Sequence, residues 1–151
     1  MCIHTGVVFA GGGEPLLRVK TLIETVNIIA AKQNGIAFRI NTNGLVDSET
    51  TQLLLDSGVI ALGDRDFRRE TRIASVSVAL PCHDVPTFEL LSKPEGGKGF
   101  RDVCNFICLL VEAGVQVECT AIDRPEVDLD ATKKLALALG ASNFRVRTFA
   151  P

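Results

Sequence analysis

The sequence predicts a single α/β domain on a parallel sheet, either open or curled into part of a barrel. Short apolar runs of strand length alternate with longer segments of helical period along nearly the whole chain. Glycines stand where helical segments should stop, at Gly35, Gly114 and Gly140. The 151 residues suffice for one core, burying roughly two-thirds of the unfolded surface, and no linker-like stretch divides them.

Each element has its own warrant. Val7–Ala10 reads as a buried strand, and Leu16–Lys32 as a helix with Leu17, Leu22, Ile23, Val26, Ile29 and Ala30 at near-helical spacing. Ile36–Asn41 is the second strand. Ser48–Asp56 is a short helix capped by Asp47 or Ser48, and Ile73–Leu80 is the next strand, with Val59–Leu62 a short extra one. The stretch Lys93–Gly99, KPEGGKG, can continue neither element and reads as a flexible loop. Phe100–Ala113 is a helix, Val115–Ile122 a strand, Asp130–Leu139 a helix and Phe144–Phe149 the last strand. Strand–helix–strand units imply right-handed crossovers between parallel strands.

Composition narrows the partners. A net charge of −2 gives no electrostatic drive toward nucleic acid or an anionic membrane. The arginines Arg65, Arg68, Arg69 and Arg72 are interleaved with Asp64, Asp66 and Glu70, the pattern of a solvated face. There is no apolar run of about 20 residues and no secretory leader pattern, so a cytoplasmic chain is expected. Five cysteines, an odd number without scaffold spacing, are expected to be reduced.

Strands buried on both faces should be apolar throughout. Here one parity is polar: Arg39 and Asn41; Ser75 and Ser77; Gln116, Glu118 and Thr120; Arg145 and Arg147. The other carries Phe38, Ile40, Val76, Val78, Val117 and Val146. The apolar parity is expected to face the helices and the polar parity to line a shared cavity, since buried arginines and a carboxylate require partners or a polar ligand. The alternative is an open sheet with one face in solvent.

The stretch VVFAGGGEPLLR, residues 7 to 18, is the sharpest local feature. It has neither the Gly-Lys-Ser/Thr of a P-loop nor a G-x-G-x-x-G fingerprint. Pro15 suits a first helical turn. Three glycines allow a ligand to approach the backbone, and Glu14 beside them favours a cationic group such as an ammonium. An amino-acid end fits this better than a pyrophosphate.

With these residues in view, the chain resembles the radical S-adenosylmethionine (radical SAM) superfamily. FAGGGEPLLR, INTNGL, IASVSVAL and the terminal FRVRTFAP are similar, in that order, to the radical SAM proteins associated with TatD-type nucleases. The resemblance implies an incomplete (β/α) TIM-like barrel of parallel strands, lacking the first β/α unit, with SAM at the C-terminal strand ends. By that pattern Gly11, Gly12, Gly13 and Glu14 hold the methionine amino group. Asn41 and Asn43 approach the methionine or ribose, and Ser77 matches a polar position near the ribose. Thr120 and Arg147 follow by strand order.

The family's complete members hold a [4Fe–4S] cluster on a C-x3-C-x2-C loop ahead of the GGGEP strand. Only Met1–Gly6 precede that strand here, with Cys2 alone among them, so no cluster ligation by this chain is expected. Cys104 and Cys108 share one face of an apolar helix and read as core, while Cys82 and His83 follow the SVSVAL strand near the expected rim of the site. Three functions remain open: the SAM-binding part of a radical SAM enzyme core, a non-catalytic module binding SAM or an amino acid, and an interaction domain self-associating through an exposed barrel edge.

Overall fold

The computed structural model describes residues 6–63 and 70–149. Five strands form one parallel sheet in chain order: β1 (Val7–Phe9), β2 (Ala37–Thr42), β3 (Arg72–Ala79), β4 (Val117–Asp123) and β5 (Asn143–Thr148). With every crossover stepping the same way and the same handedness, the helices collect on one face. They are α1 (Val19–Ala30), α2 (Ser48–Asp56), α3 (Val85–Ser92), α4 (Phe100–Glu112) and α5 (Leu129–Ala138). Among the described residues β1 and β5 pair only inward, so the sheet is open, with Val7 and Val8 exposed at one edge and Val146 at the other.

The core lies between that face and the helices. Phe38, Ile40, Val76, Val78, Val117 and Cys119 from the strands meet Leu22, Val26, Leu54, Phe106, Ile107 and Leu110 from the helices. Each aliphatic or aromatic side chain fully buried there contributes roughly 1.5–3 kcal/mol from removal of apolar surface from water. Phe9 stacks on Phe38 with ring centroids 5.2 Å apart, tying the short β1 to its neighbour.

The expected boundaries need four corrections. The segment after Pro15 begins as a 3-10 turn, Pro15–Arg18, and becomes α-helical only at Val19, because Glu14 caps the tighter turn through Leu16 N. That helix ends at Ala30, short of Gly35. Val59–Leu62 contributes one bridge, Ile60 to Ile73, rather than a strand. The sequence reading missed α3, where Asp84 accepts from Thr87 N at 2.9 Å and a proline stands in the first turn, a start signal that was present. The loop after α3 opens with Lys93 in the left-handed region, φ 42°. The predicted α2 matches, with Asp47 accepting from Thr50 N. Of the arginine cluster, residues 65, 68 and 69 lie outside the described residues, and Arg72 pairs with Glu70.

Candidate functional site

Register decides which strand residues stand together. Arg39 lies beside Ser75, Asn41 beside Ser77, Ser77 beside Glu118, Thr120 beside Arg145 and Ile122 beside Arg147. Adjacent residues in register share a face, so the polar parity forms one surface, opposite the core. A register shift between Phe38 and Arg39 makes this possible: Phe38 pairs with Ile73 and Arg39 with Ser75, and the extra residue, Ala74, lets Ile73 stay in the core while Ser75 joins the polar face.

At the C-terminal ends of the strands this face opens into a cavity of about 540 Å³. Gly11, Gly12, Gly13, Glu14, Asn41, Asn43, Ser77, Thr120 and Arg147 all line it, together with Ala10, Thr42 and Ala79. The residues assigned to SAM by the resemblance are thus brought to one place. Arg39, Ser75, Gln116, Glu118 and Arg145, expected to share the cavity by their parity, lie outside its lining because they stand farther from the C-terminal strand ends. The size falls within the range of roughly 300–1,000 Å³ usual for small-molecule pockets.

The glycine turn is open. A Cβ on Gly11, Gly12 or Gly13 would meet no atom within 4 Å. Only Gly11 has a backbone that side-chain residues avoid, φ 155°. Neither packing nor dihedral angle therefore asks for glycine at positions 12 and 13. What remains is clearance above the backbone, which a ligand would use.

Glu14 bridges the ends of β1 and β2. Its Oε1 accepts from Thr42 Oγ1 at 2.7 Å and from Leu16 N at 3.1 Å, and its Oε2 accepts from Asn43 N at 2.8 Å. Thr42 Oγ1 in turn accepts from Gly44 N at 3.1 Å. A carboxylate has about four acceptor positions, so three are used in holding the turn and one, on Oε2, remains. Glu14 is first an architectural residue. Thr42 was overlooked in the sequence reading because its parity is that of the core; it is buried, yet its hydroxyl reaches across to the carboxylate.

The polar face is under-satisfied. Arg39 Nε and Asn41 Oδ1 are buried and have no hydrogen-bond partner among the described residues. Glu118 Oε2 accepts from Asn143 Nδ2 at 3.0 Å, and its Oε1 lies 3.0 Å from Arg145 Nη2, an ion-pair distance without a hydrogen bond's alignment. Buried polar atoms normally find partners, and each exception calls for a reason. Asn41 also lines the cavity, so its unpartnered oxygen, shielded from solvent, lies in the cavity wall.

Cys82 and Cys119 serve the core, while Cys104 and Cys108, expected there, are half-buried on α4. Cys119 is fully buried on β4, and burial pushes its pKa up to about 12. Burial likewise raises Cys104 to about 11. Cys82 lies in the core instead of on the site rim, its Sγ donating to Asp84 O at 3.3 Å under the start of α3, while His83 is exposed beside Asp84. Among the described residues no three His, Cys, Asp or Glu side chains gather as a metal would require, and protonated buried thiols are poor ligands. The described residues do not fit a [4Fe–4S] cluster. Cys2 lies outside them.

No helix among the described residues is long and apolar enough to cross a membrane. No protein-family model matches the chain, and no curated protein matches it. The chemistry of the cavity therefore carries the functional reading.

Proposed function

We propose that this chain is the SAM-binding part of a radical SAM enzyme core, an incomplete (β/α) barrel whose polar sheet face is the inner wall. The observation that carries this reading is the convergence of the glycine turn, Asn41, Asn43, Ser77, Thr120 and Arg147 on one cavity at the C-terminal strand ends. Barrel and open α/β sites alike lie at that end of the strands.

The residues present suit the amino-acid end of SAM. The clear backbone of Gly11–Gly13 lets the ligand's ammonium reach main-chain carbonyls, with the remaining Oε2 position of Glu14 beside them. Asn41 Oδ1 offers an unused acceptor deeper in the cavity, and Arg147 on the far wall offers donors to a carboxylate. In the family that the sequence resembles, a [4Fe–4S] cluster supplies the electron that cleaves bound SAM. No catalytic step is assigned to this chain, since the described residues do not fit that cluster.

Calorimetric titration with SAM tests the reading. The expected result is binding that Gly12→Val weakens at least tenfold, a substitution whose Cβ meets no atom of the protein within 4 Å. Glu14→Ala should also lose binding, through collapse of the turn as well as loss of charge. Wild-type protein that does not bind SAM, or binding that Gly12→Val leaves unchanged, would remove the site.

A further inference from the structure

We infer that a second, more apolar cavity beside the first receives the other reactant, and that this reactant is a small organic anion with an apolar body. The cavity measures about 310 Å³ and shares Asn43 and Ala79 with the first, so the two are neighbours along the strand ends. Its role as the second-reactant pocket rests on the SAM reading of the main cavity; its binding preference does not.

Three features of the lining set the chemistry. Leu45, Pro81, Phe88, Leu91 and Ile122 make most of the wall, which favours hydrocarbon over a polar metabolite. Among the described residues Arg124 is the only charged side chain in that lining. Among the described residues it has no ion pair; its guanidinium lies 4.7 Å from the centroid of the Phe149 ring, a cation–π contact that orients the group without neutralising it. An arginine without an ion-pair partner in the wall of an apolar pocket is matched by a carboxylate, which it can bind through two parallel hydrogen bonds.

The pocket is a product of α3. That helix supplies Phe88, Leu91 and Ser92, which line the cavity together with Ala79 of β3 and Ile122 of β4, and it starts at the Asp84 cap soon after β3 ends. An α/β unit with a plain loop there would leave the strand ends bare.

The test uses 4-phenylbutyrate and 4-phenylbutylamine, which share an apolar body and differ in charge. Calorimetry should show the acid binding at least tenfold more tightly than the amine. In Arg124→Gln the acid should weaken at least tenfold, with the amine unchanged. Amide resonances of Leu91, Ser92 and Arg124 should shift on titration with the acid, and Leu91→Trp should abolish those shifts. Equal binding of acid and amine to the wild type, no binding of the acid, or an Arg124→Gln variant that binds the acid normally overturns the inference. SAM is titrated separately. If the acid binds and SAM does not, the reading of the main cavity fails alone; if SAM binds and the acid does not, this pocket fails alone.

Discussion

Thr42 Oγ1 donates a hydrogen bond of 2.7 Å to Glu14 Oε1, joining the turn after β1 to the end of β2. The same hydroxyl accepts from Gly44 N, and Glu14 Oε2 accepts from Asn43 N, so two strand ends and one carboxylate form a closed set of hydrogen bonds. Thr42→Val keeps the shape and removes both bonds. It should destabilise the protein by about 1–3 kcal/mol, because Gly44 N and a carboxylate oxygen lose their partner in a half-buried place. Urea denaturation measures the loss, and Thr42→Ser should recover most of it.

Glycines in this chain divide into two kinds. Gly12→Ala and Gly13→Ala should change stability by no more than about 0.5 kcal/mol, since the added methyl meets nothing. Gly44→Ala and Gly140→Ala should each cost about 1–3 kcal/mol or more. Gly44 has φ 73° and a Cβ there would sit 2.8 Å from Val78 Cγ1; Gly140 has φ 98° and would place it 2.5 Å from Val111 Cγ1. Thermal melts of the four variants check the contrast. SAM titration of the first two then reports on the ligand alone.

Asn41 separates stability from binding. Its Oδ1 is buried without a partner, so the folded protein already bears the desolvation of that atom. Asn41→Leu should leave stability within about 0.5 kcal/mol of wild type, or raise it, while SAM affinity falls at least tenfold. Melting temperature and calorimetry on one preparation give both numbers. A large loss of stability would mean that the amide holds the fold.

Acid should loosen two helix starts. The backbone N–H of Thr50 holds Asp47, and that of Thr87 holds Asp84, below the usual aspartate value of 3.8. Both pKa values are depressed in the folded protein, so the stability they contribute is present above pH 3.8 and is lost as pH falls through their folded values. Stability measured between pH 5 and pH 2 should fall less steeply in Asp47→Asn and Asp84→Asn than in wild type. Both groups are solvent-facing, so the differences should be small and should shrink in salt.

The buried thiols set the alkaline limit. Cys119 and Cys104 are raised from 9.0 to about 12 and about 11 by burial. Their contribution is complete below pH 9 and is lost as pH rises toward those folded values, because the unfolded chain ionises first. At pH 8 a disulfide reagent such as Ellman's should modify Cys119 far more slowly in the native protein than in urea. Fast native modification would show that β4 opens readily.

Much of this fold was legible in the chain because its signals are local. Asp47 before an apolar-periodic segment marks α2 whatever the rest does, and period-two alternation in β2, β3 and β4 separates the core face from the polar face on chemistry alone, while on the edge strand β5 Val146 is exposed with its polar neighbours. The same alternation, with the glycine turn, marked part of the main cavity's lining, Asn41, Ser77, Thr120 and Arg147 among it, but not Thr42 or Ala79. Tertiary structure alone decided the rest. Only the register of β2 against β3, with its shift at Phe38, places Asn41 beside Ser77; a slip of one residue would have turned the polar parity into the core. Thr42 became part of the turn because two strand ends, distant in sequence, come within hydrogen-bond reach. The second cavity, with Arg124 in its lining, is assembled from residues of α3, β3, β4 and the loop after β4, segments whose separate sequences say nothing of each other.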